Sequence, residues 1–372
     1  MKLLVIGGSV FVGRAFAAQG LRRGWEVTVF NRGRTQADLP GVRALRGDRS
    51  DEADLAAAAA AGPYDAVVDV CGYVPREVAK SAAALAGHAT AYLFVSTVNV
   101  YPHFPALPTD ESSPRQGGTA DAGPQDGDYG WLKDGCEKAV RRAFPGRVVV
   151  LQPGLIVGPH DRARRTTAWL RRAARGGPMA VPGDPHRPLR VIDVRDLAAF
   201  GLEVLTGAPK DDVEDYLVPG APDNGSWGDY LDACVAATAG RAELVYIDDQ
   251  LFVDHEVEPW TELPLWLPPR NTRPPGRLRA RRRWPPACAA ARSRTRYATR
   301  PPGCSRLAVK GKPSRITGTS ARGRRSCRLR KSRRFSPPTR PSSLKPSERH
   351  HGCARIRCLT STGSRSRPRQ PL

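Results

Sequence analysis

The sequence predicts a doubly wound α/β protein, a parallel sheet with a smaller C-terminal lobe, followed by a disordered basic tail. Three observations carry this. Short runs that are apolar throughout alternate with alanine- and leucine-rich stretches over the first hundred residues, a glycine-rich turn joins the first run to the first such stretch, and the composition changes abruptly at Pro269. Strands apolar on both faces, separated by helices, belong to parallel sheets covered on both sides.

Taken in order, "KLLVIG", "WEVTVF", "YDAVVDV" and "AYLFVS" read as buried strands, and "RAFAAQGLRRG", "DEADLAAAAAA" and "VAKSAAALAG" as the helices between them. A Gly/Pro/Asp-rich loop over 102–128 precedes a helix carrying "YGWLKDGCEKAVRRAF", and "RVVVLQPG" supplies a further buried strand. Beyond Gly154, "TTAWLRRAARGG", "VIDVRDLAAFGLEVL" and "WGDYLDACVAATAG" read as helices of a smaller lobe over the carboxyl edge of the sheet, where such folds bind ligands. The expected division is 1–155 for the sheet domain, 156–269 for a partly interleaved substrate lobe, and 270–372 for the tail.

The tail dominates the overall charge. Of 59 Lys and Arg, 31 lie from Arg270 onward, with Glu348 the sole acidic residue there, so the tail carries +30. Residues 1–269 carry −7 and give no hint of a polyanionic partner. Hydrophobic periodicity stops after "ELPLWLPP", and a tail rich in Arg, Pro, Ser and Cys has the composition of GC-rich DNA read out of frame. The functional alternative is an arginine-rich arm for phosphate backbones. Against it, stacking residues are sparse (Trp284, Tyr297, Phe335) and five cysteines lack ligand spacing. Nucleic acid is therefore not the expected partner, and a small-molecule substrate is; a homodimer is left open.

Cys71, Cys136 and Cys234, widely spaced, suggest neither a disulfide framework nor a metal site. Glycines interrupt the opening apolar run, no cleavage pattern follows, and no run reaches membrane-spanning length, so the expected location is cytoplasmic.

"GGSVFVG", Gly7 to Gly13, sits between the first strand and first helix. There Gly7, Gly8, Ser9, Phe11, Val12 and Gly13 can bring backbone against a pyrophosphate at a helix N-terminus, the Rossmann arrangement for a dinucleotide. A strand-to-helix connection with no ligand would look similar, and Val10 stands where a middle glycine is usual. The second strand ends "VTVFNRGRT", with Asn31 and Arg32 where an NAD enzyme carries an acidic residue. A cation there suits a 2′-phosphate, so NADP is favoured with NAD possible; Arg34 could assist, or both arginines could belong to a solvated turn. Asp48 in "RGDRSD" could accept from an adenine amino group or cap a helix.

"LFVSTVNVY" ends a strand with Ser96 and Thr97, and "DYGWLK" places Tyr129 and Lys133 four apart on one helix face. A phenol with pKa ~10 is a poor base, and a neighbouring ammonium is expected to lower it, with Thr97 holding the substrate oxygen. Taken alone, Tyr-x-x-x-Lys is commonly just a helix surface.

The ordered set "GGSVFVG", "DVCGYVP", "FVSTVNVY", "YGWLK", "LQPGLIVGPHD" and "IDVRDLAAF" resembles the extended short-chain dehydrogenase/reductase family, also called the NAD-dependent epimerase/dehydratase family, over Met1 to about Pro269. The pair "GGSVFVG" and "FNRGRT" is similar to an actinobacterial reductase-like branch that shares its loop style with plant chloroplast stem-loop RNA-binding proteins. The resemblance implies an NAD(P)-dependent oxidoreductase acting on a carbonyl or hydroxyl, with sugar-nucleotide epimerase/dehydratase, or a non-catalytic dinucleotide- or RNA-binding protein, as alternatives. Thr97, four before Tyr101, would be the Ser/Thr of the catalytic triad with Tyr129 and Lys133, and Ser96 its neighbour. Asp69, Cys71 and Gly72 would line the cofactor, and Gln152, Pro153 and Gly154 would pass the nicotinamide, with Gln152 where arginine is common. Ala168 stands where the branch would have an aromatic, and the substrate is not legible.

Overall fold

A computed structural model describes residues 1–104, 109–209, 214–221 and 224–268. The expectations for the tail, that it is disordered and out of frame, fall outside the described residues.

The main sheet begins with β1 (Lys2–Ile6), α1 (Phe11–Arg22), β2 (Glu26–Asn31), β3 (Arg43–Arg46), α2 (Glu52–Ala60), β4 (Tyr64–Asp69), α3 (Pro75–Leu85) and β5 (Ala89–Val95). After a 3₁₀ turn over Val98–Val100 come α4 (Tyr129–Ala143), β6 (Arg147–Pro153), β7 (Leu155–Val157), α5 (Arg165–Ala174), β8 (Gly177–Pro182), β9 (Val191–Asp193), α6 (Val194–Thr206) and β10 (Glu214–Val218). The smaller lobe is completed by α7 (Trp227–Ala237), β11 (Ala242–Ile247) and α8 (Asp249–Asp254). Seven strands form one parallel sheet in the order β10-β6-β5-β4-β1-β2-β3.

The uninterrupted apolar strands have a direct packing cause. Leu3 and Val5 of β1 enter one core with Phe16 and Ala17 of α1 and Leu197 and Ala198 of α6. Leu4 and Ile6 enter the opposite core with Leu55 of α2, Val78 and Ala82 of α3, and Val140 of α4. The same alternation separates Leu93 and Val95 from Tyr92 and Phe94 in β5. Both faces are covered, so side chains alternate in direction without alternating in polarity.

The sheet order reverses between β1 and β4, so the connections leaving these strands diverge and open a crevice at the carboxyl edge. The chain returns to the sheet late: α6 packs on α1, and β10 extends the sheet beside β6 in register Tyr216 to Leu151. The two lobes thus interleave along the sequence.

In the smaller lobe, parallel pairs β8–β11 and β7–β9 flank a core of Trp169, Met179, Trp227, Leu231 and Leu265. Trp169 and Trp227 meet edge-on at 5.1 Å, and their indole N–H groups donate to the carbonyls of Pro264 and Pro182, both at 2.9 Å. "LPLWLP" over 263–268 joins this core through Leu265, while the next residue, Trp266, is fully buried and its indole donates to Asp249 at 2.7 Å. Among the described residues no helix is long and apolar enough to cross a membrane.

Candidate active site

The carboxyl end of β1 passes into a turn that leaves no room for a side chain at Gly7 or Gly13. Gly7 adopts φ +89°, and a Cβ there would stand 3.0 Å from Cys71 Sγ. A Cβ on Gly13, in the first turn of α1, would stand 2.4 Å from the Gly7 carbonyl oxygen. Gly8 and Ser9 are buried, Val12 packs toward the α1 core, and Phe11 takes φ +36°. A non-glycine residue in that region is strained, and such strain gathers at ligand-contacting turns. Val10 stands at the N-cap position of α1 with no side-chain cap, so the first helical N–H groups have no side-chain acceptor from Val10. This cradle fits the phosphates of a dinucleotide.

At the end of β2, Asn31 is committed internally. Its Oδ1 accepts from the Gly33 N–H at 2.8 Å and from Arg46 at 2.9 Å, while its amide donates to Asp38 at 3.1 Å. Arg46 also bonds Asp38. Asn31 therefore orders the turn that presents Arg32 and Arg34. Arg32 pairs with Asp48 at 3.7 Å, with side chains 60% and 40% exposed. Asp48 accepts from the backbone and hydroxyl of Ser50, which with Arg32 and Arg34 hold its carboxyl below the usual range. The helix-cap alternative for Asp48 is corrected: Asp51 caps α2, accepting from Ala53 and Asp54, because the chain makes a further turn after Asp48 before the helix begins.

Beneath this groove lies a pair that the sequence reading missed. Arg49 forks onto Asp69 with two bonds of 2.9 Å and also donates to Ser81 at 2.9 Å, while Tyr92 donates to Asp69 at 2.9 Å. Burial pushes the Asp69 carboxyl up, but Arg49 and the hydrogen bonds outweigh it and hold the carboxyl below its ordinary value. Burial drives the Cys71 thiol up to about 11, so it is protonated at neutral pH. Removing Arg49 alone strands a buried carboxylate. Arg49→Met is expected to cost roughly 3–5 kcal/mol in urea unfolding, with much of the loss recovered by adding Asp69→Asn. Because the folded pKa of Asp69 lies below its unfolded value, this stabilisation is present above the unfolded value and fades as pH falls through the folded one.

Tyr129 is the first residue of α4, whose N-cap Asp128 accepts from the Trp131 N–H at 2.9 Å. Lys133, one turn on, is 2% exposed and donates to the carbonyls of Gly72 at 2.9 Å and Val95 at 2.7 Å. Thr97, two residues past β5, accepts from the Asn99 N–H at 3.3 Å and lies near enough to the Tyr129 phenol to favour its ionised form. The expected lowering of the phenol is corrected. Desolvation first, then Tyr73, drive it up to about 12, because the Lys133 ammonium is drawn down onto strand-end carbonyls rather than onto the phenol. Burial also lowers Lys133 itself.

Gln152 does not face this groove. It is fully buried, its amide donates to Glu137 at 3.1 and 3.2 Å, and its Oε1 accepts from Tyr101 at 2.8 Å, so both ends are committed away from a nicotinamide. Arg115 joins Glu137 at 2.9 Å to Asp215 at 2.7 Å, and Arg141 also pairs with Asp215. This network ties the 109–128 loop, α4, β6 and β10 into one block below Ser96, which is itself buried. Gly154 follows with its N–H on the Val218 carbonyl at 3.1 Å, and Pro153 ends β6. Among the described residues no acidic, histidine and cysteine cluster could hold a metal.

The model of the NAD dependent epimerase/dehydratase family matches residues 3–218. The chloroplast stem-loop binding protein of 41 kDa b from Arabidopsis thaliana is 25% identical over 218 residues, spanning 55% of this chain and 55% of that protein. A UDP-glucose 4-epimerase from Thermotoga maritima, solved with UDP-glucose, superposes with a TM-score of 0.56 at 15% identity over 76% of this chain and 90% of that one. The Bordetella bronchiseptica enzyme WbmH, solved with NAD⁺, gives 0.53 at 18% identity over 66% and 85%. At these identities the solved structures show the shared fold alone.

Proposed function

The chain belongs to the NAD dependent epimerase/dehydratase family, and from that premise we propose that it is an NADP-dependent oxidoreductase acting on a carbonyl or hydroxyl substrate through Thr97, Tyr129 and Lys133. One observation carries the reading: along the carboxyl edge the Gly7 turn lies against Cys71, the Gly72 carbonyl accepts from the Lys133 ammonium, and Tyr129, one helical turn before Lys133, lies near Thr97. The dinucleotide, when bound, supplies or accepts the hydride.

The residues of the chain would do the rest. Gly7, Gly8 and Gly13 let the backbone reach the phosphates, and Lys133 has two of its three protons committed, leaving one for a ribose hydroxyl. With its pKa near 12, Tyr129 holds its proton at neutral pH, which suits donation to an alkoxide as a carbonyl is reduced. Thr97, beside that phenol, would orient the reacting oxygen. The likeness to a plant protein named for stem-loop binding supports a second reading, a non-catalytic dinucleotide- or RNA-binding protein on the same fold; it predicts no reduction of any carbonyl offered and, in its RNA form, a salt-sensitive RNA affinity of residues 1–269.

Arg32 and Arg34 favour NADP, since a 2′-phosphate gains charge-assisted hydrogen bonds that a hydroxyl does not. NADPH is expected to bind about tenfold tighter than NADH, equivalent to ~1.4 kcal/mol. Arg32→Ala is expected to erase that margin without weakening NADH. Equal affinities in fluorescence titrations of the unaltered protein would remove Arg32 from the site. The arginine-rich tail has no part in this reading, and sequencing the DNA for residues 260–372 tests whether it is translated out of frame.

A further inference from the structure

Tyr73, between α3 and the end of β4, is 56% exposed, yet it is placed against the most enclosed amine of the site. Lys133 Nζ stands 4.2 Å from the Phe94 ring centre and 5.6 Å from that of Tyr73. Tyr73 also approaches Tyr129, ring centres 6.5 Å apart and tilted by 39°. The preceding residue explains the placement. A Cβ on Gly72 would lie 2.6 Å from Phe94 and 2.6 Å from Val78, so the backbone is pressed onto Phe94, with the Gly72 carbonyl accepting from Lys133 and the next side chain emerging over the ammonium.

We infer that Tyr73 is a positioning residue, the aromatic cover that keeps the Lys133 ammonium dry and fixed between two ring faces and sets it one turn below Tyr129. Among the described residues no carboxylate is hydrogen-bonded to the charge; two carbonyl oxygens and two aromatic faces lie against it. Ring faces attract a cation through their quadrupole, and more strongly once water is excluded. Phe94 is buried and belongs to the core, whereas Tyr73 belongs to the mouth, so its ring is the removable half of the enclosure. Its hydroxyl plays no part in this, but the ring does.

Trace labelling with acetic anhydride, read by mass spectrometry and normalised to the half-exposed Lys80 in the same chain, tests the cover without substrate or cofactor. Tyr73→Phe should leave Lys133 labelling as in the unaltered protein, while Tyr73→Leu and Tyr73→Ala should raise it about fivefold or more, the range that loss of a desolvated cation–π contact supports. A leucine variant as protected as phenylalanine, or an alanine variant as protected as tyrosine, overturns the inference. The inference rests on the proposed oxidoreductase reading only in giving Lys133 a task. A parallel arm with saturating NADPH, expected to slow Lys133 labelling further in the unaltered protein, tests that reading separately, since no slowing would count against the dinucleotide and leave the cofactor-free comparison intact.

Discussion

Gly13→Ala is expected to abolish saturable binding of NADPH. The added Cβ would stand 2.4 Å from the Gly7 carbonyl oxygen and 2.9 Å from the Gly7 carbonyl carbon and Gly8 Cα. All three are backbone atoms of the turn itself, so no side chain can swing aside to make room. Relief requires α1 to move away from β1, but α1 is anchored by Phe16 and Ala17 in the core shared with Leu3 and Val5. The turn must therefore open, and its N–H groups leave the positions from which they would meet a pyrophosphate. A cost of roughly 1–3 kcal/mol in stability should accompany the loss, in line with forced overpacking elsewhere. Val10→Ala only removes atoms from the same turn and should keep both binding and stability. Fluorescence titration and urea unfolding of the two variants check this; a Gly13→Ala protein that binds NADPH as the unaltered one does would place the ligand elsewhere.

Much of the fold was legible because its cause is local. The strands are apolar throughout because β1 and β5 send successive residues into two different cores, and that pattern survives reading without coordinates. The glycine turn was legible for the same reason, since Gly13 is demanded by backbone atoms only a few residues away and Gly7 by its own φ of +89°. What stayed hidden depends on distant partners. Arg115 and Asp215 are a hundred residues apart and look like ordinary surface charges until β10 joins β6. Gln152 followed the resemblance toward a nicotinamide, yet Glu137 and Tyr101 hold it below the site. Arg49 gave one usable signal. In "YDAVVDV" the apolar run over 66–68 is followed by Asp69 at the strand's end, and a carboxylate there must find a cation or stay unpaired at high cost. The direction of the Lys133 ammonium had no signal at all, because helix spacing sets which residues share a face and not which acceptor wins.

Tyr129→Phe tests the central claim, that a proton passes through this phenol, most directly. The change removes one hydroxyl and keeps the ring against Tyr73, so the mouth of the site should keep its shape. Lys133 should also stay in place, since its protons are held by the Gly72 and Val95 carbonyls and not by the phenol. Nothing in the glycine turn or at Arg32 touches Tyr129 among the contacts described, so NADPH affinity should be unaltered. General acid catalysis by a positioned group contributes about 10²–10⁴-fold, and that is the expected fall in turnover. The measurement is NADPH oxidation across a panel of aldehydes and ketones, run beside an NADPH titration, for the unaltered protein and Tyr129→Phe. The account predicts turnover with at least one carbonyl in the unaltered protein, its loss by that factor in the variant, and matching titration curves; equal turnover in the two proteins would contradict it.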